Sequence, residues 1–396
     1  MKDSKTFISL CLVGFCSFVS YDMVRRPALA LFVESLGAGP FLVGLLVAVS
    51  TVTGIVLKLP IGLLSDQINR RRLMLGGVLA FAIPPFLYPF TSDLWTLGIL
   101  RLFHGLATAM FTPLALAMVA ELFAKRRGEA FGWYTSATQG GGLLGPMIGG
   151  AIVYQFGFAP TFFLAGLFGM LALVFFWLIP QTPTPSRLHQ YSVPTLWKEM
   201  REGLRRVCQI PPILITSSVE AAKMMGNGTL MAFLPLYGLT IGLNAAEIGV
   251  LFGVQALTSF IAKPVMGRIS DRGARQPLIF GGLCLCGLMV MFIPQIQGYV
   301  LLLVVAGMFG FGEAVVTSST TALVADYSEG KDLGAGMGLR GTIMDIGHAV
   351  GPLLAGLLIN TLGYGGGFFC IGVLLLLTAA FFGVTMMGIK KPVVLQ

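Results

Sequence analysis

Residues 7–19, 41–57, 73–90, 160–179 and 368–387 run almost without a charged side chain. An α-helix needs about 20 apolar residues to cross the hydrocarbon core of a bilayer, and each run approaches that length. Such runs alternate with short polar breaks, and they contain glycine and proline, which membrane helices tolerate better than soluble ones. Window length gives about twelve spans. The composition agrees: 56% of residues are hydrophobic and 11% charged, against about 25% charged in an average soluble domain.

The net charge of +9 would suit a nucleic-acid partner, but its distribution argues otherwise. Lys2 and Lys5, Arg70 to Arg72, Lys125 to Arg127, Arg187 with the stretch 198–206, Arg272 with Arg275, Lys331, and Lys390 with Lys391 occupy every second break. The breaks at 34–40, 91–94, 154–159, 240–246 and 361–367 hold no Lys or Arg. This is the positive-inside pattern. It predicts a multi-pass protein of the cell (inner) membrane, both termini cytoplasmic, a monomer in lipid with no nucleic-acid partner. Cys11, Cys16, Cys208, Cys284, Cys286 and Cys370 lack the paired spacing of a zinc site or a disulfide framework and read as apolar filler, with no metal.

The segment 57–72, LKLPIGLLSDQINRRR, has a second copy, KPVMGRISDRGARQ at 263–276. Lys58 pairs with Lys263, Gly62 with Gly267, Ser65 with Ser270 and Asp66 with Asp271, at a constant offset of 205. The same offset pairs Leu36-Gly37 with Ile241-Gly242, Gly76-Gly77 with Gly281-Gly282, and Glu121 with Asp326; one residue more pairs Gly145-Pro146 with Gly351-Pro352 and Gly150 with Gly356. The chain therefore reads as an all-α membrane protein of two pseudo-symmetric six-helix halves, 1–180 and 210–396, the usual construction of secondary transporters. Residues 181–209 form a cytoplasmic linker, whose basic amphipathic stretch WKEMREGLRRV is expected along the membrane face. The N-terminal segment resembles a signal peptide, but its match to the seventh helix places it in the mature fold.

Three of these places resemble the major facilitator superfamily, and within it the twelve-helix drug:proton antiporters. Gly62, Asp66, Arg70 and Arg71 match that family's loop signature, with Asn69 where it usually has glycine. Arg101-Leu-Phe-His104-Gly105 is similar to its buried-arginine motif, with His104 where glutamine is common. GGGLLGPMIGG at 140–150 is similar to its antiporter Gly-Pro motif. The resemblance implies the major facilitator fold, alternating access, proton coupling, and a Gly-Pro seal against ion leak.

Physical chemistry gives the residues their candidate roles. Asp66 and Asp271 can accept from the exposed N–H groups of a neighbouring helix N-terminus. Arg70, Arg71 and Arg275 can pair with acidic helix ends such as Glu121 or Glu129. With Gly62 and Gly267 they form either a cytoplasmic latch or simple positive-inside anchors. Charges inside the membrane are costly and mark a pathway or a pair. Asp22 lies about 24 Å into the first helix at 1.5 Å per residue, with Arg25 and Arg26 on its face, and Arg101 is expected at similar depth. That cluster is a coupling switch or a permanent staple. Glu313 has no intrahelical cation beside it, and burial favours the neutral form a proton carrier needs. Asp345 with His348, and Glu220 with Lys223, are relays or staples; Lys58 and Lys263 read as snorkelling anchors. His104, Thr108, Gln139, Asn227 and Gln255 join Arg25, Arg26, Glu220 and Lys223 as cavity candidates. Gly145, Pro146, Gly149, Gly351, Pro352 and Gly356 are expected to kink helices and let them approach closely at the seam between halves.

GxxxxGK[ST], HExxH and CxxC are absent from the sequence, which points to no enzyme and no cofactor, with a proton gradient as the energy source. The leading expectation is proton-coupled export of an amphipathic small molecule. A symporter or facilitator importing an anionic metabolite is the alternative, given Arg25, Arg26, Arg101 and Lys223. A membrane-embedded sensor is a third reading, against which the intact second loop signature speaks.

Overall fold

The computed structural model describes residues 2–64, 70–123, 127–179, 193–272, 275–328 and 333–386. These residues form helices α1 (Lys2–Met23), α2 (Leu29–Ser35), α3 (Pro40–Leu64), α4 (Arg70–Leu87), α5 (Leu94–Leu122), α6 (Arg127–Phe156), α7 (Phe158–Trp177), α8 (Val193–Cys208), α9 (Pro211–Thr240), α10 (Ala245–Arg272), α11 (Arg275–Phe292), α12 (Tyr299–Tyr327) and α13 (Leu333–Met386). Among the described residues nine helices are long and apolar enough to cross a membrane, the first running through α1 and α2 as Lys5–Ser35. α13 divides at Gly363. With α6 and α9, each 30 residues long and diluted by groups such as Gln139, Glu220 and Lys223, the crossings number twelve. α8 is the short linker helix, its Val207 packed on Ile213 and Val324 while Arg201, Arg205 and Arg206 face outward.

Large apolar side chains cover the outside of the helices: Trp95 is 86% exposed and Val384 87%. Water would penalise such a surface, and lipid does not. Tight interhelical contacts lie inside, where glycines remove the side chain between backbones. The repeat governs them. A methyl group on Gly77 would lie 2.8 Å from the Phe111 nitrogen, and one on Gly282 3.0 Å from the Val316 side chain, 205 residues on. Gly105 closes on the Ser50 carbonyl, and Gly310, again 205 on, closes on the Gln255 carbonyl.

Helix ends repeat as well. Gly37 and Gly242 end α2 and α9 at φ 83° and 86°, and Gly157 and Gly363 turn the chain at φ 85° and 71°. An L side chain is strained there, so glycine stops these helices. At helix starts, Asp93 accepts from the N–H groups of Trp95 (3.0 Å) and Thr96 (2.8 Å). Those bonds hold its carboxyl below the usual aspartate range. Asn244 and Glu247 cap α10 reciprocally, at 2.9 and 3.0 Å.

Contacts divide the chain into two compact units. Unit 1 is Met1–Ser192 with Met231–Gly253, and unit 2 is Val193–Leu230 with Val254–Gln396. In unit 1, Leu10, Val13, Val78, Phe81, Phe111 and Tyr134 anchor the core. There α6 also meets α10: Gly150 abuts Ala245 and Gly249, and Met147 fills the space beside Gly253. In unit 2, Gly312 lies against Cys286, and Gly347 and Gly351 close on Ala221 and Met225 of α9.

Candidate functional site

Each unit gathers ionisable side chains at a different level of the same repeated scaffold. In unit 1 they surround a break in the first span. α1 ends at Met23, and the segment Val24–Ala28 kinks where Arg26 takes extended angles (φ −141°, ψ 119°) before Pro27. Asp22, Arg25 and Arg26, all half-buried, cluster at this break, and Asp22 interacts electrostatically with Arg26 and Arg25. Arg25 lies over the Tyr21 ring at 5.3 Å and donates to Thr51 Oγ1 at 3.3 Å; Arg26 lies over the Phe252 ring at 5.7 Å.

Arg101 is 0% exposed. Its Nε donates to the Leu46 carbonyl at 3.2 Å, and its Nη2 to the Val47 carbonyl at 3.3 Å and to Ser50 Oγ. All these acceptors are neutral, and Nη1 has none. The sequence expectation put Arg101 in one cluster with Asp22. The structure hangs it on the backbone of α3, reached because Gly105, one turn along α5, brings α5 against Ser50. His104 shares a 2.8 Å hydrogen bond with Tyr88 and meets the Tyr21 ring edge-on at 4.9 Å. Thr108 is half-buried on the same helix, and Gln139 is half-buried on α6.

In unit 2 the ionisable groups interlock. Glu220, 0% exposed, takes Lys223 at 2.7 Å, Arg340 at 3.3 Å, Thr320 at 2.8 Å and Thr317 at 3.4 Å. Lys223 also donates to Thr317 at 2.8 Å and stands 3.9 Å from Glu313. Glu313 keeps 16% side-chain exposure and accepts from Gln255 at 3.3 Å. Lys263 interacts electrostatically with Glu313, Lys223 and Glu220. Asp345, His348 and Asn227 are buried on the facing turns of α13 and α9.

Arg340 and Lys263 are the residues the sequence reading underused. Arg340 is an arginine within an apolar span, which is itself the signal. Lys263 looked like an anchor because its interhelical neighbours are invisible in a linear pattern.

The loop candidates divide. Asp66 lies outside the described residues, as do the burial of Gly62 and the side chains of Arg70 and Glu121. Arg71 lies over the rings of Phe176 and Trp177 at 5.6 and 5.7 Å. Arg275 pairs with Asp326 and, at 3.4 Å, with Asp271. By the repeat this corresponds to the Arg70 and Glu121 pairing expected in the other half, and all three residues belong to unit 2. Gly267 borders open space. Gly145 and Gly149 close on Val19 and Met23 of α1, and the Pro352 ring lies against Gly228. Gly356 is buried in α13. These contacts seat α6 on α1 within unit 1 and α13 on α9 within unit 2. A separate cavity of 660 Å³, lined by Glu34, Tyr154, Phe158, Leu239 and Asn244 among others, includes none of the candidates.

A model of the Major Facilitator Superfamily matches residues 10–244 and again 216–393. The multidrug resistance efflux pump PmrA of Streptococcus pneumoniae is 24% identical over 346 residues, 85% of each chain. The multidrug resistance protein MdtG of Enterobacter lignolyticus is 23% identical over 400 residues, 96% of this chain and 92% of that one. An uncharacterised transporter of the same type from Methanocaldococcus jannaschii is 23% identical over 90% of both chains. Among solved structures, a bacterial homologue of the human lysosomal transporter Spinster, inward-facing and unoccupied, superposes with a TM-score of 0.81 at 15% identity, covering 97% of this chain and 96% of that one.

Proposed function

The chain belongs to the Major Facilitator Superfamily, and from that premise we propose that it exports an amphipathic small molecule across the cell membrane in exchange for protons. The protein works by alternating access, with its Lys/Arg loops and both termini in the cytoplasm. The observation that carries proton coupling is the contrast between Glu220 and Glu313. Two cations and two hydroxyls surround Glu220, which is fully buried, so its charge is fixed. Glu313 is partly exposed, with one amide donor, the Lys223 ammonium 3.9 Å away and Lys263 within electrostatic reach. It is the carboxyl that can exchange a proton with water and alter the hold on Lys223 as it does so. Export is favoured by the names of two relatives, both multidrug resistance proteins.

Proteoliposomes with an imposed pH gradient test this reading, using ethidium as the probe. Inward-acid vesicles should drive uptake into the lumen through inside-out molecules, and release of lumenal protons should accompany it. Glu313→Gln should lower gradient-driven flux by about a hundredfold or more, the low end of what a positioned proton-transfer group contributes, and leave downhill exchange in place. Unchanged gradient-driven flux in that variant would remove Glu313 from the coupling step.

A further inference from the structure

Three of the breaks that carry no Lys or Arg, at 34–40, 154–159 and 240–246, come together in unit 1. Each contains a glycine at positive φ, Gly37, Gly157 and Gly242, and these end α2, α6 and α9. The helix ends so placed wall the 660 Å³ cavity, with Leu31 and Glu34 of α2, Tyr154 of α6, Phe158 of α7 and Leu239 of α9 in its lining. That volume falls in the range of pockets that hold drug-sized ligands.

Among the described residues of that lining, Glu34 carries the one formal charge. It is exposed, and no hydrogen bond, ion pair or charged neighbour engages its carboxylate among the described residues. A carboxylate at the mouth of a low-dielectric cavity focuses a negative potential, and the three breaks around it hold no cation to cancel that potential. Two aromatic faces accompany it. The Phe158 ring is held by Phe32 at 5.4 Å and by Phe162 at 6.5 Å. Tyr154 is exposed and has no ring partner among the described residues, which leaves its face to a ligand. A carboxylate beside an open aromatic face, above an apolar wall, suits a cation attached to a ring.

We propose that this cavity is a binding site for an organic monocation with an aromatic body: Glu34 pairs with the charge, Tyr154 stacks on the cation, and Leu31 and Leu239 take the ring. The site includes none of the ionisable groups assigned to coupling. It adds to the export reading a second place of binding, on the face whose breaks lack Lys and Arg, and does not depend on Glu313.

Three probes with one ring system and different charge test it: 1-naphthylmethylammonium, 1-naphthalenemethanol and 1-naphthaleneacetate. Binding to the purified full-length protein in dodecyl maltoside is measured by titration calorimetry at neutral pH, with no gradient present. A failure of proton-driven export therefore leaves this result unaffected. The ammonium should bind about tenfold more tightly than the alcohol, which an ion pair and a cation–π contact at a half-open site supply together, and the acetate most weakly. Glu34→Gln should bring the ammonium down to the level of the alcohol and leave the alcohol where it was. Tyr154→Leu should weaken the ammonium more than the alcohol. Leu239→Trp, which fills the cavity, should weaken both. All three side chains are exposed, so the variants keep the core intact. Equal binding of ammonium and alcohol in the wild-type protein, or tightest binding of the acetate, overturns the proposal. An ammonium preference that survives unchanged in Glu34→Gln, or wild-type affinity in Leu239→Trp, overturns it as well.

Discussion

Placed in register at the 205-residue offset, the two sequence repeats share their backbone contacts and divide the chemistry. Gly105 on Ser50 recurs as Gly310 on Gln255, and the 3-10 turn at Tyr88–Phe90 recurs as the turn at Ile293–Gln295. The side chains at matching positions differ in kind. Phe15 and Phe18 of α1 stand where α9 has Glu220 and Lys223; Thr108 stands where α12 has Glu313, and Tyr134 where α13 has Arg340. Asp22 is replaced by Asn227, and the His104 and Tyr88 pair by Phe309 and Ile293. A duplicated scaffold fixes where backbones touch, since that depends on small residues at few places. It leaves open which sites carry charge, so one unit interlocks carboxylates with cations around Glu220 and the other gathers guanidinium groups at the break in its first span.

Removing the keystone of the interlocked unit should have the largest effect. Glu220→Gln leaves Lys223 and Arg340 around a neutral amide, and breaking a buried ion pair from one side costs about 3–5 kcal/mol. The folded yield and the thermal midpoint in detergent should both fall sharply. Normal stability would mean that Glu313 or Asp345 neutralises both cations, and the contrast drawn between Glu220 and Glu313 would collapse.

The shared scaffold predicts an equal response next. Gly105→Ala and Gly310→Ala each push a methyl group into a carbonyl of the neighbouring helix, and overpacking of this kind costs about 1–3 kcal/mol. Thermal unfolding should shift similarly for the two variants. A large shift for one and none for the other would show that the repeat extends to sequence but not to packing.

The smallest effect should come from making unit 1 resemble unit 2. Tyr88→Ile leaves His104 without its hydrogen-bond partner, a loss of about 1–3 kcal/mol for a buried polar group. Adding His104→Phe removes the orphaned group as well, so the double variant should recover part of that stability. A double variant that merely sums the two losses would place the role of His104 elsewhere than in its bond to Tyr88.

Part of the site was legible because it is local. Glu220 and Lys223 lie three residues apart, within one turn and a side chain's reach, and they do bond at 2.7 Å. Gly37 and Gly242 could be paired from the repeat alone, and both adopt the left-handed conformation. Glu313 looked solitary for the same reason in reverse: its neighbours Lys223, Gln255 and Lys263 come from other helices. Arg101 could be recognised as buried, yet the sequence offered Asp22 as its natural partner, and the structure hangs it on backbone carbonyls that no residue pattern advertises.

By itself, the sequence determined the membrane spans, the two matching halves, the alternation of basic loops and the number of charges placed in hydrocarbon. Each follows from residue type and chain distance, which hydrophobicity and helix periodicity turn directly into structure. Tertiary structure alone decided which of those charges meet. A helix pattern specifies a face but not the rotation and depth at which a neighbouring helix settles against it. A few ångströms of that depth separate a locked carboxylate such as Glu220 from the half-open Glu313.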